Sequence, residues 1–457
     1  MGDFRRRPLQ AFYLAIGLFW GHGLAAQTAL PGPAATRWSL TALALQAAGQ
    51  DPTLRAATAA LTSDTEAVAA ARAGLGPRLD LALQRGSNQI ARDVGQSQRY
   101  ASESTSLSVR QSLLQMEGRA RVEGAEADVR RQQALLAQAA DRVWVGSVAA
   151  YADLVRQAYD LTAAQASLAV ANGNLQAAER GRSNGLVSDT EVSARRGRAE
   201  QARQRWLVAQ WRRDDALRQV ERSVARPVHQ VAMPDPTAAP WPFELPSALE
   251  PLRTKALADA QAVRAAEEAI RSASATVDRA RAASQPTLDL VGAYTRAANE
   301  GPSTVNSAYR VRSIGLQLNV PLYQGGAGDA VVRQSLAQKD RAEALRDAAR
   351  MEVEAQWESD VRWLQGSQVQ LASTREVIRS ARQLLESELR GVDQGVRSSL
   401  DVLEARAQLA RAEADDAQAW TGAVLAWMRL MLLVGRDATE VLQSLDRWLT
   451  GTLDLRR

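Results

Sequence analysis

The chain contains no cysteine. That excludes a disulfide framework, a thiol nucleophile, a thiolate metal site and a cysteine-borne lipid anchor. Its two histidines, His22 and His229, are too few for a histidine-based zinc or catalytic constellation. Lysine is almost missing as well (Lys255 and Lys339), so arginine carries the positive charge. The formal net charge is +5, yet arginine alternates with Asp and Glu along the whole chain, and the one basic block is Arg5-Arg6-Arg7. Such interspersed charge describes solvated helix faces, and no nucleic-acid partner is expected. After the first residues no stretch offers 18 uninterrupted apolar side chains, so no spanning helix is expected. Gly325-Gly326-Ala327-Gly328 is not followed by Lys-Ser/Thr, which removes the one candidate phosphate loop. No enzyme chemistry, cofactor or metal is expected.

Proline is absent from 78 to 226 and after Pro321, while seven of the fifteen prolines crowd into Pro227–Pro251. Residues 227–251 therefore read as an extended connector. Residues 1–26 read as a secretory leader: Arg5–Arg7, an apolar run from Ala11 to Trp20, and a small-residue cleavage site at Gly23-Leu24-Ala25-Ala26.

What lies between is repeated. Moved forward by 209, Leu54-Arg55-Ala56-Ala57 falls on Val263-Arg264-Ala265-Ala266, and Pro77-x-Leu79-Asp80-Leu81 on Pro286-x-Leu288-Asp289-Leu290. Moved by 210, Arg180-Gly181, Gly185 and Val192 fall on Arg390-Gly391, Gly395 and Val402. The period is too long for a solenoid and marks a duplicated half. The first half spans 27–226: a helix, a β-hairpin over 76–115 and long helices over 117–226. The second spans 252–445: a helix over 255–283, a hairpin over 286–322 and long helices over 329–445. Residues 446–457 read as a tail.

Within each half the hydrophobic period changes from helical to alternating and back. Leu79, Leu81 and Leu83 share one strand face opposite Asp80 and Gln84; Leu316, Leu318, Val320 and Leu322 share another opposite Gln317 and Asn319. Residues 86–104 and 296–309 read as polar loops. Apolar-out, polar-in strands of about ten residues suit an outer-membrane barrel, with a soluble hairpin covered on one face as the alternative; the polar side favours the barrel. Four strands cannot close a water-filled barrel, and open edges are not tolerated in lipid, so several copies are expected to assemble. Helices of some 60 residues would run roughly 90 Å and must pack side by side. The last one carries a heptad seam from Leu400 through Ala410, Ala417 and Val424 to Met431. A periplasmic coiled-coil scaffold would share the helices but not the duplicated strand pairs.

The order of motifs is specific. Asp51-Pro52-x-Leu54-Arg55-x-Ala57, then Asn319-Val320-Pro321-Leu322-Tyr323-Gln324-Gly325-Gly326 before a long helix, then Gly395-Val396-Arg397-Ser398-Ser399-Leu400-Asp401-Val402-Leu403-Glu404-Ala405 resembles the TolC family of outer-membrane channel-tunnels. The resemblance implies an α+β membrane protein: a homotrimer with a twelve-stranded barrel in outer-membrane lipid and a twelve-helix tunnel across the periplasm. It implies a duct without catalysis, working with a periplasmic adaptor and an inner-membrane transporter, either an ABC transporter or a proton-driven pump. Type I secretion of a large protein is the favoured cargo class, with drug efflux as the alternative. The adaptor would grip Gly185, Leu186, Val187 and Ser188 at one turn, and Gly395, Val396, Arg397 and Ser398 at the other. Pro321, Leu322, Tyr323, Gly325 and Gly326 would form the strand–helix junction. The gate would comprise Asp401 and Glu404 as acidic rings, Glu404 standing where the family usually has Asp, and an Arg397–Glu191 latch.

Overall fold

The computed structural model describes residues 37–91, 98–234, 249–299 and 307–455. The leader expected at 1–26 and residues 235–248 of the connector lie outside them.

Each half builds the same succession. In the first, α1 (Leu40–Gln50) and α2 (Pro52–Ala73) precede strands β2 (Arg78–Ile90) and β3 (Gln98–Leu114), then α3 (Met116–Ser183) and α4 (Asp189–Val224). In the second, α5 (Leu249–Asp259) and α6 (Gln261–Ala282) precede β5 (Thr287–Ala298) and β6 (Ala308–Asn319), then α7 (Ala327–Asp393) and α8 (Ser399–Leu433). Short strands β1 (Arg37–Trp38), β4 (Gln230–Met233) and β7 (Gly451–Asp454), with α9 (Ala438–Trp448), complete the chain.

Three boundaries differ from the sequence reading. The single helix expected at 255–283 is two, α5 and α6, broken at Ala260, whose ψ of 126° is extended. The first half breaks at the matching place with a clear signal: Asp51 accepts from Thr53 N and Leu54 N, and Pro52 opens α2. The second half keeps the bend but has lost the cap, so nothing in its residues announces it. The loop expected at 86–104 is strand over 86–90 and 98–104, and the one expected at 296–309 is strand at 296–298 and 308–309. Their side chains are polar, but the backbone ladder runs on from Arg78↔Arg110 to Ile90↔Gln98, since polar side chains do not interrupt main-chain pairing. The tail expected at 446–457 holds the end of α9 and all of β7.

The hairpins join through β3 and β5 into one antiparallel sheet of order β2-β3-β5-β6. Register fixes its two faces. Leu79, Val109, Gly292 and Ile314 align in one row across it, and Leu81, Leu107 and Tyr294 in the next. With Leu83, Leu290, Leu316 and Leu318 they form a continuous apolar face; Leu83 is 72% exposed and Ile314 81%. The opposite face carries small and polar groups, as in the row Asp80, Ser108, Ala293, Ser313. Strands β2 and β6 are free edges of 13 and 12 residues.

Beneath the sheet, α3 (68 residues) and α7 (67 residues) run unbroken, roughly 100 Å each. No helix among the described residues is long and apolar enough to cross a membrane. α3 packs against α2 and α6 on the sheet side, and against α4 and α8 further away. Alanine lines the contacts: Ala127, Ala163, Ala199, Ala209, Ala410, Ala414 and Ala417 are buried. Small side chains let helix axes approach closely. On α7, Val353, Trp357, Asp360, Leu364, Ser367, Leu371, Ile378, Ala381 and Glu388 are buried, following the same 4-3 spacing with polar residues set into it.

One larger core interrupts this lean packing midway. Strands β1 and β4 pair in parallel and β4 and β7 antiparallel. Under them Leu40, Leu43, Tyr151, Leu154, Val220, Met428, Leu442 and Leu445 are all essentially inaccessible. Trp420 stacks edge-on to Trp448 at 5.8 Å, and the Tyr151 hydroxyl donates to the Ala232 carbonyl. Asp446 accepts from Leu40 N (2.7 Å) and Thr41 N (3.0 Å), tying α9 to the start of α1. Between α7 and α8, buried Asp360 meets Arg429 at 3.1 Å. Burial pushes the Asp360 carboxyl up, partly offset by Gln356 and Arg429.

Candidate functional site: the two helical turns and the strand–helix junction

The far ends of both long helices turn by one construction. At the first, Leu186 N donates to Gly181 O (2.8 Å) and Gly185 N to Arg182 O (2.9 Å); at the second, Val396 N donates to Gly391 O (2.9 Å) and Gly395 N to Val392 O (3.0 Å). This is the Schellman pattern, which needs a left-handed residue. Gly185 and Gly395 supply it, with φ of 75° and 71°. The other glycine of each pair has a separate task. A Cβ on Gly181 would meet Val187 Cγ2 at 2.6 Å, and one on Gly391 would collide with the stem of Arg397. The side chain at 187 or 397 thus lies across the glycine and closes the turn.

Serine then starts each returning helix. Ser398 Oγ accepts from Asp401 N (3.2 Å) while Asp401 Oδ2 accepts from Ser398 N (2.8 Å), a complete capping box. Ser188 Oγ accepts from Glu191 N (3.3 Å), but the Glu191 carboxylate turns to Arg195 Nε at 2.7 Å. Leu186 and Val396 stand out at the tips, 80% and 73% exposed. The two hairpins lie side by side: Gly173 on α3 sits against Leu400 and Leu403 of α8.

The expected Arg397–Glu191 link is not formed within the chain. Arg397 Nε lies 3.4 Å from Glu388 Oε2, a residue on α7 that the sequence reading overlooked. Glu388 is buried on the seam of α7, and its Oε2 accepts no hydrogen bond. The positions 210 residues earlier are Ala178 and Val187. The second turn therefore carries a charged pair where the first carries an apolar one. A signal was available: Glu388 falls on the buried 4-3 spacing of α7, where a charged residue asks for a partner, as polar seam residues that set register do.

Asp401 is held below the usual carboxylate range, first by the Ser398 backbone N–H, then by the Ser398 side chain and the nearby Arg397 charge. A lowered folded-state value means the cap is fully present above the ordinary carboxylate range. It is lost only as pH falls through the lowered value. Glu404, one turn on, is exposed and has no ion-pair partner among the described residues.

At the other end of α7 the chain leaves β6 through Val320 to Gly326. Pro321 cannot donate to the ladder, which ends the strand at Asn319, three residues short of the expected 322. Gly325 and Gly326 turn left-handed, with φ of 63° and 78°, and α7 begins. Leu322 and Tyr323 project here, 92% and 87% exposed. An exposed Leu-Tyr pair where an apolar sheet face meets long polar helices is the composition of a membrane–water boundary.

A sheet apolar on one face and polar on the other, joined to paired helices with exposed turns, has the build of a membrane export channel subunit. The outer membrane efflux protein family model matches residues 43–226 and 252–436, so the chain belongs to that family. It is similar to the alkaline protease secretion protein AprF of Pseudomonas aeruginosa, 26% identical over 89% of this chain and 86% of that one. It is also similar to the outer membrane efflux protein BepC of Brucella suis, 25% identical over 91% of this chain and 89% of that one. In fold it matches the outer membrane protein VceC of Vibrio cholerae with a TM-score of 0.67, at 20% identity over 87% of this chain and 96% of that one. The protein is an outer-membrane export duct that extends into the periplasm, and not an enzyme.

Proposed function

We propose that three copies of this chain form the exit duct of a type I protein secretion machine. The sheet is the observation that carries the assembly. Its apolar face suits lipid, yet β2 and β6 end in unpaired edges, which hydrocarbon does not tolerate. Pairing each β6 with the β2 of the next copy removes every edge. Three copies give twelve strands and, below them, twelve helices around a common axis. The similarity to AprF along nearly the whole chain supports protein as cargo. The comparable similarity to BepC keeps small-molecule efflux as the second reading.

The partners are a periplasmic adaptor and an inner-membrane transporter, an ABC transporter for secretion or a proton-driven pump for efflux. The adaptor grips the tip turns, where Leu186 and Val396 present apolar surface in a fixed geometry. Removing the gene from its host separates the cargo classes. Loss of a major protein from the culture medium with unchanged drug susceptibility is expected; the converse pattern would establish efflux.

The gate lies just above the tip. In a trimer Asp401 and Glu404 form rings of carboxylates that attract cations and hold back anions. The Arg397–Glu388 pair keeps the second hairpin closed. Arg397 is half exposed, so the pair itself contributes about 1 kcal/mol or less, suited to a latch that must release. In planar bilayers the reconstituted Arg397→Ala channel is expected to conduct several-fold more than wild type, because Glu388 is left buried without its counter-charge. Asp401→Ala should lose cation block. Unchanged single-channel currents in both variants would remove the gate from this position.

A further inference from the structure

The outward face of the second hairpin turns from apolar to cationic at the rows where the first hairpin still carries Leu81 and Leu83. Arg296 stands directly opposite Arg310, and Tyr294 opposite Arg312. All three arginines are exposed and share the face that carries Leu290, Ile314 and Leu316, since side chains alternate strictly along a strand. Cross-strand neighbours lie roughly 5 Å apart at Cβ, and like charges placed so are unfavourable unless an anion sits between them. Among the described residues none is supplied, since neither Arg296 nor Arg310 has a carboxylate partner there. Arg312 lies over the Tyr294 ring, 5.7 Å from its centroid.

The first hairpin makes the contrast. At the neighbouring level on the same face Arg85 is balanced by Glu103, 3.3 Å away. The residues 209 positions before Arg296, Arg310 and Arg312 are Ser87, Ala101 and Glu103. The cluster is therefore particular to the second hairpin.

Orientation follows from connectivity. The long helices leave the opposite ends of the strands and run into the periplasm, so the hairpin tips lie on the cell's exterior side. The three arginines lie one and two rows beyond Ile314, in the rows that Leu81 and Leu83 occupy on the first hairpin, at the upper rim of the lipid-facing band. An outer leaflet built of phosphorylated glycolipid presents its sugar phosphates at that depth. Arginine forks match phosphate geometry, and the Tyr294 ring suits the same boundary layer. We propose that Arg296, Arg310 and Arg312 bind the phosphates of an outer-leaflet glycolipid, a bis-phosphorylated acylated glucosamine disaccharide, which thereby becomes part of the barrel's wall.

Native mass spectrometry of the full-length assembly in detergent tests this, with that lipid as probe. Wild type is expected to retain the bis-phosphorylated lipid at least tenfold better than its dephosphorylated form or phosphatidylglycerol. The Arg296→Gln/Arg310→Gln/Arg312→Gln variant should lose this preference, and the corresponding triple Lys variant should keep most of it. Equal retention of both glycolipid forms by wild type, or an undiminished preference in the Gln variant, would overturn the proposal. So would equal retention of phosphatidylglycerol. Inorganic phosphate at 10 mM, a concentration set by the assay, should not displace the lipid; full displacement would assign the cluster to free anions and likewise overturn it. If the triple Gln variant does not assemble, Arg310→Gln alone is read, with at least threefold weaker retention expected and no change refuting the site.

Discussion

Leu186→Asp combined with Val396→Asp should abolish export while leaving the assembled duct intact. Both side chains are more than 70% exposed and make no contribution to a core, so their loss does not threaten the fold. Each caps a turn whose geometry is fixed by glycine and by paired backbone hydrogen bonds. Exposed, rigid apolar groups are what a partner uses as anchors, because ordering them on binding costs little entropy. An anchor of this kind typically contributes about 2 kcal/mol or more when truncated. Two anchors together would weaken adaptor binding by about a thousandfold, and burying two carboxylates in that contact would add to the loss. The measurement is site-specific crosslinking to the adaptor alongside cargo in the medium. Normal secretion by the double variant would mean that the tips are not what the adaptor holds.

Leu316→Arg should prevent the protein from reaching the outer membrane as a stable assembly. Leu316 sits in the middle of the apolar face, 66% exposed in the single chain, between Ile314 and Leu318. A guanidinium at the bilayer midplane of a barrel costs about 2–4 kcal/mol per copy, and every copy in the barrel would bear it. Gln317→Arg, one residue on, points to the polar face and is the control: it should assemble and alter only conduction. Membrane fractionation and a urea titration of the folded assembly compare the two. Equal tolerance of both substitutions would mean that the sheet faces are assigned the wrong way round, or that neither meets lipid.

Much of this was legible in the residues, for identifiable reasons. The long helices could be read because their interfaces repeat, from Leu400 to Met431, with nothing but alanine spacing to decode. The strands could be read where leucine alternates, at 79–83 and 316–322. Above those leucines the alternation carries only polar side chains, and the reading failed there: backbone pairing continues after the hydrophobic signal stops. The break at Ala260 was hidden because a bend inherited from the duplication outlived the Asp-Pro signal that still marks its twin.

The candidate site divided in the same way. Both tip turns were legible, because a left-handed residue leaves a glycine behind. The partner of Arg397 was not, because the turn brings back a residue nine positions earlier on the preceding helix. No local spacing rule links the two. Only the comparison of Ala178 and Val187 with Glu388 and Arg397 exposes the substitution, and that comparison requires the turn geometry first.

The small sheet at mid-height joins Arg37, Gln230 and Asp454 across three neighbouring strands. Those residues are separated by most of the polypeptide, so the collar they form is built of the most non-local contacts in the chain and closes slowly. Until β7 pairs with β4, one edge of β4 stays open, and until α9 docks, the Leu40 and Leu43 side of α1 lacks its neighbour. Closure of this waist therefore requires segments from both halves of the chain to meet.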